Sequence, residues 1–212
     1  MISFAFKSHQ NLLKSKVMLL ITPNTRHRKK LQNVIWMLLL LQISLIDGQE
    51  LNRPLRILID PGHGGKDSGA VGVNGIQEKD LVLEIALKMS QLNEFDGKPA
   101  EYFLTRYTDT LISLRDRTKL ARILRADYYI SLHFNDAPNR NASGVEVFVS
   151  NQENRYSRQS IWLGLVLGKS LVRLTGQRNR GVKFANFQVL RDLKDVCPVV
   201  LVELGFINFL LH

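Results

Sequence analysis

Leu55-Arg-Ile-Leu-Ile-Asp60 runs directly into Pro61-Gly-His-Gly-Gly65, and this junction decides the fold class. An apolar run of strand length that ends in a glycine-rich turn reads as a buried strand delivering a functional loop. Outward from it, short apolar runs keep alternating with helical periods. Leu81, Ile85, Met89 and Leu92 stand at helical spacing, with Asp80 as N-cap and Gly97 as a stop. Tyr102 to Thr105 follows as a strand, Leu114 to Leu124 as a second helix, and Tyr128-Tyr-Ile-Ser-Leu-His133 as another strand. Val145 to Val149 alternates as a strand, and a helix from about Ser157 to Thr175 carries Ile161, Leu165, Gly168 and Val172 on one face. Phe187 to Leu190 and Val199 to Glu203 complete the strands. This alternation predicts an α/β fold, a mixed, largely parallel sheet with helices on both faces in a single domain.

Residues 1–50 stand apart as a leader, with residues 51–212 as the catalytic domain. The basic run Arg26-His-Arg-Lys-Lys30 precedes Val34-Ile-Trp-Met-Leu-Leu-Leu-Leu-Gln-Ile-Ser-Leu-Ile46, a charged segment followed by an apolar one of signal-peptide length. This predicts export to the periplasm or cell envelope, with membrane contact through residues 34–46 if the segment is kept as an anchor. Half of the net charge of +10 lies in this leader. A basic surface suits nucleic acid, anionic lipid or the anionic polymers of a bacterial wall. The absence of any aromatic-interleaved basic stripe argues against nucleic acid. Cys197, the single cysteine, excludes an intramolecular disulfide and a cysteine-rich zinc cluster. Beside Pro198 it reads as a small buried hydrophobe.

Any metal must then be held by histidine and carboxylate. His63 follows the first strand, His133 and Glu203 stand at the ends of two others, and Glu78 lies in a turn-like stretch, Gly75-Ile-Gln-Glu-Lys79, before a helix. Two neutral imidazoles and one carboxylate form a catalytic zinc set with a position left for water, so His63, Glu78 and His133 are the candidate ligands. Their spacing forms no local zinc motif. Glu203, flanked by Val202, Leu204 and Phe206, has surroundings that favour a raised carboxyl pKa. Asp60, Asn135 and Glu146 are candidates to orient the histidine rings, with turn capping the alternative for the first two. Arg106, Asp109 and Arg117 read as structural ion-pair residues.

Several stretches occur in order: Ile57-Leu-Ile-Asp-Pro-Gly-His-Gly-Gly65, Gln77-Glu-Lys-Asp-Leu81, Leu104-Thr-Arg106 with Asp109, Ser131-Leu-His-Phe-Asn135, Gly144-Val-Glu-Val-Phe148 and Leu201-Val-Glu-Leu-Gly-Phe206. Together they resemble the zinc-dependent N-acetylmuramoyl-L-alanine amidases of type 3, over roughly Arg56 to Asn208. The resemblance implies Zn(2+) on His63, Glu78 and His133, Glu203 as the catalytic glutamate, and peptidoglycan as the substrate. Two departures stand out. Phe134 occupies a position where that family usually has a small residue. The chain also stops nine residues after Glu203, where family members continue into a closing helix. Loss of that helix predicts exposed apolar surface around Phe206, Phe209 and Leu210 and poor folding. No long helical insertion stands between Gly144 and Ser157, which predicts a constitutively open site. A zinc peptidase of the stem peptide and an inactive wall-binding module are the competing readings.

Overall fold

The computed structural model describes residues 53–73, 75–92, 94–95, 97–139 and 141–208. The leader assignment and the predicted exposure of Phe209 and Leu210 lie outside these residues. The elements run β1 (Leu55–Pro61), α1 (Glu78–Met89), β2 (Glu94–Phe95), β3 (Lys98–Leu104), α2 (Leu114–Leu124), β4 (Tyr128–Asn135), β5 (Val145–Ser150), α3 (Ser157–Thr175), β6 (Asn179–Ala185), α4 (Gln188–Leu193) and β7 (Val199–Phe206). They build a seven-stranded sheet in the order β2-β3-β1-β4-β7-β5-β6. Strands β3, β1, β4 and β7 are parallel, β5 is antiparallel to β7 and parallel to β6, and β2 is antiparallel to β3. The mixed, largely parallel sheet is as expected.

Period-2 alternation assigns the two faces. Ile57 and Ile59 enter one core with Val82 and Ala86 of α1 and Leu163 of α3. Leu58, between them, enters the other with Ala121 of α2 and Val189, Leu190 and Leu193 of α4. Helices therefore cover both faces, and the central strands carry long apolar runs because neither side of their middle meets water.

Four local readings need correction. Helix α1 begins at Glu78, two residues before the proposed cap, and its deepest residues are Glu78, Val82 and Ala86. Leu92 lies beyond the helix, and Gly97 turns the chain between β2 and β3. In α3 the buried side is Ser160, Leu163, Gly164 and Gly168, whereas Leu165 is 44% exposed. The two glycines let this helix approach Val147 of β5. Phe187 to Leu190 is not a strand: Phe187 precedes the short helix α4, and the strand in that region is β6. Phe206, predicted to be exposed, is buried, with the Arg180 guanidinium 5.1 Å from its ring centroid. The single cysteine, Cys197, is buried as read, and burial pushes its thiol up to about 12.

Candidate metal centre

The parallel strands bring their C-terminal ends to one edge of the sheet, and the loop after β1 crosses it. His63 in this loop has φ 59°, a left-handed conformation that a non-glycine residue adopts at a cost. Two buried arginines hold it. Arg106 donates to the carbonyls of Pro61, Gly62 and Lys79 at 3.1, 2.9 and 2.8 Å. Arg117 donates to the carbonyls of Pro61 and His63 at 2.8 and 2.6 Å and to the Asp60 carboxylate at 2.5 Å. Asp109 accepts from the Gly65 amide and the Lys79 ammonium, both at 2.7 Å. The ion-pair reading thus holds for Asp109 and Arg117. Arg106 instead grips main-chain carbonyls.

Glu78, the first residue of α1, is fixed by a short hairpin. Its amide donates to the Ala70 carbonyl and its Oε2 accepts from the Ala70 amide, each at 2.9 Å. Its Oε1 meets His63 Nε2 at 3.1 Å and His133 Nδ1 at 2.9 Å, and accepts from the Phe134 amide at 3.0 Å. Burial alone would raise this carboxyl, but hydrogen bonds from His133 and His63 outweigh it and hold Glu78 well below the usual range. Phe134 fits without disturbing the site, because its ring points into the core on the opposite face from His133.

One donor atom from each of His63, Glu78 and His133 lies within 4.8 Å of the others. Ligands about 2.0–2.1 Å from a tetrahedral ion stand roughly 3.3 Å apart, so this donor set fits zinc in size as well as chemistry. The backbone leaves room for it. A Cβ on Gly62 would stand 2.3 Å from the His133 ring, and one on Gly69 would stand 2.5 Å from Glu78 Oε2 and 2.6 Å from the His63 ring.

The ring-orienting carboxylate differs from the sequence candidates. Asp60 is buried and accepts from Arg117, Thr105 and Ser131; burial would raise it, but the Arg117 charge and the Thr105 hydroxyl outweigh that and hold it below the ordinary carboxylate range. Asn135 donates to Glu146, which also pairs with Arg180 and Lys183. Asp67, which sequence reasoning missed, lies 3.0 Å from His63 Nδ1 and also accepts from the Gly69 amide. Its only sequence signal is the four-residue offset from His63, a weak one inside a loop.

Glu203 is the register partner of His133 on one side and of Glu146 on the other. The two glutamates nevertheless differ. Burial would raise Glu146, but Lys183 and Arg180 hold it down. Glu203 Oε2 is buried without a hydrogen-bond partner among the described residues, and burial, reinforced by Glu78 and Glu146, pushes its carboxyl up to about 7. A cleft of about 690 Å³ opens over His63, His133 and Glu203, with Leu111, Leu114 and Phe187 among its walls.

The sequence profile of the family Amidase_3, described as N-acetylmuramoyl-L-alanine amidase, matches residues 57–209. The sporulation-specific N-acetylmuramoyl-L-alanine amidase of Bacillus subtilis (strain 168) is 36% identical over 156 residues, which cover 73% of this chain and 57% of the relative. The amidase LytC of the same strain is 38% identical over 153 residues, covering 72% of this chain and 29% of LytC. The chain thus spans little more than half of the first relative's length and less than a third of the second's. Among solved structures, the N-acetylmuramoyl-L-alanine amidase of Clostridium difficile 630 superposes with a TM-score of 0.65 at 35% identity, covering 73% of this chain and 81% of that one. The catalytic domain of the amidase CwlV from Bacillus (Paenibacillus) polymyxa gives 0.63 at 34% identity, covering 72% and 81%. On this match of sequence and fold, the chain belongs to the N-acetylmuramoyl-L-alanine amidase family.

Proposed function

We propose that this protein is an exported, zinc-dependent hydrolase of the amide between N-acetylmuramoyl and L-alanine in peptidoglycan, acting in the periplasm or cell envelope. One observation carries the reading: donor atoms of His63, Glu78 and His133 converge beside a buried carboxyl, Glu203, one oxygen of which has no hydrogen-bond partner among the described residues. His63, Glu78 and His133 would hold a zinc ion, which when bound would supply acidification of a water and polarisation of the scissile carbonyl. Glu203 accepts the proton lost by the water and returns it to the amide nitrogen, so that the amine departs neutral. A buried carboxyl with an oxygen that has no hydrogen-bond partner among the described residues suits both transfers. Asp67 holds the Nδ1 side of His63, leaving Nε2 directed at the centre. Access to the cleft is constitutive in this reading; residues 151–156, between β5 and α3, lie at the opposite end of the sheet and do not line it.

Digestion of purified sacculi with the zinc-loaded protein tests this reading. New muramoyl ends and free L-alanine amino groups, identified by mass, are the expected products. Cleavage within the stem peptide would identify a peptidase instead, and retention on sacculi without products would identify a binding module. Dependence on an added partner would overturn constitutive access.

A further inference from the structure

We propose, on the amidase reading above, that the stem peptide runs from the metal centre across β7 and β5 toward β6, where Lys183 and Arg180 hold one of its carboxylates. The strands at this edge follow the order β1, β4, β7, β5, β6; His63 follows the first, His133 lies on the second and Glu203 on the third. The leaving nitrogen takes its proton from Glu203. The amine half of the substrate therefore lies on the β7 side, and the acyl half on the β1 side.

The two sides differ in charge. Helix α2 packs on β1, and with the loop before it walls the cleft with Leu111, Leu114 and Asp116. Arg117, the cation of that wall, is buried and committed to Asp60 and to main-chain carbonyls. On the other side α4 packs on β7 and β5, and Phe187 before it lines the cleft. The Phe187 ring meets Phe148 of β5 edge-on at 5.2 Å between centroids, and the Lys183 ammonium stands 5.8 Å from the Phe148 centroid. Phe148 and Lys183 are register partners on the sheet face that also carries Glu203.

Lys183 and Arg180 both reach back to Glu146, the register partner of Glu203, so two cations share one carboxylate. Arg180 spends Nε on Glu146 and Nη1 on the Ser143 carbonyl, which leaves Nη2 without a hydrogen-bond partner among the described residues. Their side chains are 31% and 41% exposed for Arg180 and Lys183, so the surplus charge is open to a ligand. It stands over β5, one strand spacing or roughly 5 Å from the Glu203 strand. In the stem peptide, L-alanine is followed by a γ-linked D-glutamate with a free α-carboxylate. Two extended residues span about 7 Å, so this carboxylate comes within reach of the pair.

Two muramoyl-L-alanyl peptides that differ at that group alone, one with the free α-carboxylate and one with its amide, test this on the zinc-loaded protein. The wild type is expected to show a KM about tenfold lower for the acid, a preference that shrinks as salt is raised. Lys183→Gln should bring the two KM values within about twofold of each other, and Lys183→Arg should restore the preference. The peptide L-alanyl-γ-D-glutamyl-L-lysine, titrated calorimetrically, should bind the wild type more tightly than Lys183→Gln. A circular dichroism melt of each variant separates lost charge from lost fold. A folded Lys183→Gln that keeps the preference would overturn the proposal. Cleavage of both peptides by the wild type at equal KM would overturn it and leave the amidase reading standing. Cleavage of neither, with sacculi also intact, would overturn both.

Discussion

Glu78 and Glu203 face the same centre, yet their oxygens meet different surroundings, and their substitutions should fail differently. Glu78→Ala removes one of the three proposed ligands, so zinc content and activity are expected to fall together. Glu203→Gln keeps shape but cannot take the water's proton; elemental analysis should find zinc near one per chain while turnover drops by roughly 10²- to 10⁴-fold. Loss of zinc in Glu203→Gln, or near-normal turnover, would remove Glu203 from the proton transfer. Glu146 is a poor replacement, since Arg180 and Lys183 keep it ionised. Asp67→Asn should weaken zinc about 10- to 100-fold in chelator competition without unfolding the protein. His63, His133 and Glu203 were legible in the sequence because polar residues at the ends of apolar runs are conspicuous. Asp67 was not, since an aspartate in a glycine-rich loop looks like any turn residue until the backbone folds it onto His63.

The loop after β1 is held by distant arginines, which makes it a rigid element. Arg117→Met would leave Asp60 ionised and buried without its main partner, a change expected to cost about 3–5 kcal/mol in denaturant unfolding. Arg117→Lys should recover only part of this, because an ammonium cannot reach the Pro61 and His63 carbonyls and the Asp60 carboxylate in the guanidinium's planar geometry. A Lys variant as stable as wild type would reduce the clamp to simple charge pairing. Element by element, legibility followed apolar content. Strand β1 and helices α2 and α3 announce themselves by apolar runs and helical period, although the period does not identify the buried face of α3. Strand β6 did not, because Asn179-Arg-Gly-Val-Lys-Phe-Ala185 lies at the sheet edge and has no continuous apolar run. Helix α4 was mistaken for a strand because Phe187-Gln-Val-Leu190 alternates over too few residues to reveal its true period.

Across the whole molecule, the raised carboxyl of Glu203 has a thermodynamic signature. A group that binds its proton more tightly when folded stabilises the protein below its unfolded value, near 4.5, and loses that contribution as pH rises to about 7. In the metal-free protein, charging Glu203 should therefore cost about 2–3 kcal/mol by pH 8. Glu203→Gln should melt several degrees higher than wild type at pH 8 and lose that advantage near pH 4.5. An unchanged difference between the two pH values would show that Glu203 is freely hydrated. At acid pH the sign reverses through Asp60, whose depressed value makes stability fall once pH drops below the ordinary carboxylate range.

The wide sequence separation of the three proposed ligands would give a bound metal a role in chain topology. Fifteen residues separate His63 from Glu78, and fifty-five separate Glu78 from His133. A single ion joining them would work as a reversible cross-link, closing two consecutive loops that span the β1 exit, the start of α1 and the end of β4. It therefore restricts the unfolded chain wherever the ligands stay bound, and otherwise stabilises only the folded form. Chelation should lower the melting temperature by an amount that grows with zinc affinity. Asp67→Asn, with its weaker hold on the ion, should show a smaller gap between metal-loaded and metal-free melts than the wild type. Equal gaps in the two proteins would mean that Asp67 does not strengthen the hold on the ion, and no gap in either would mean that the ion contributes nothing to holding these segments together.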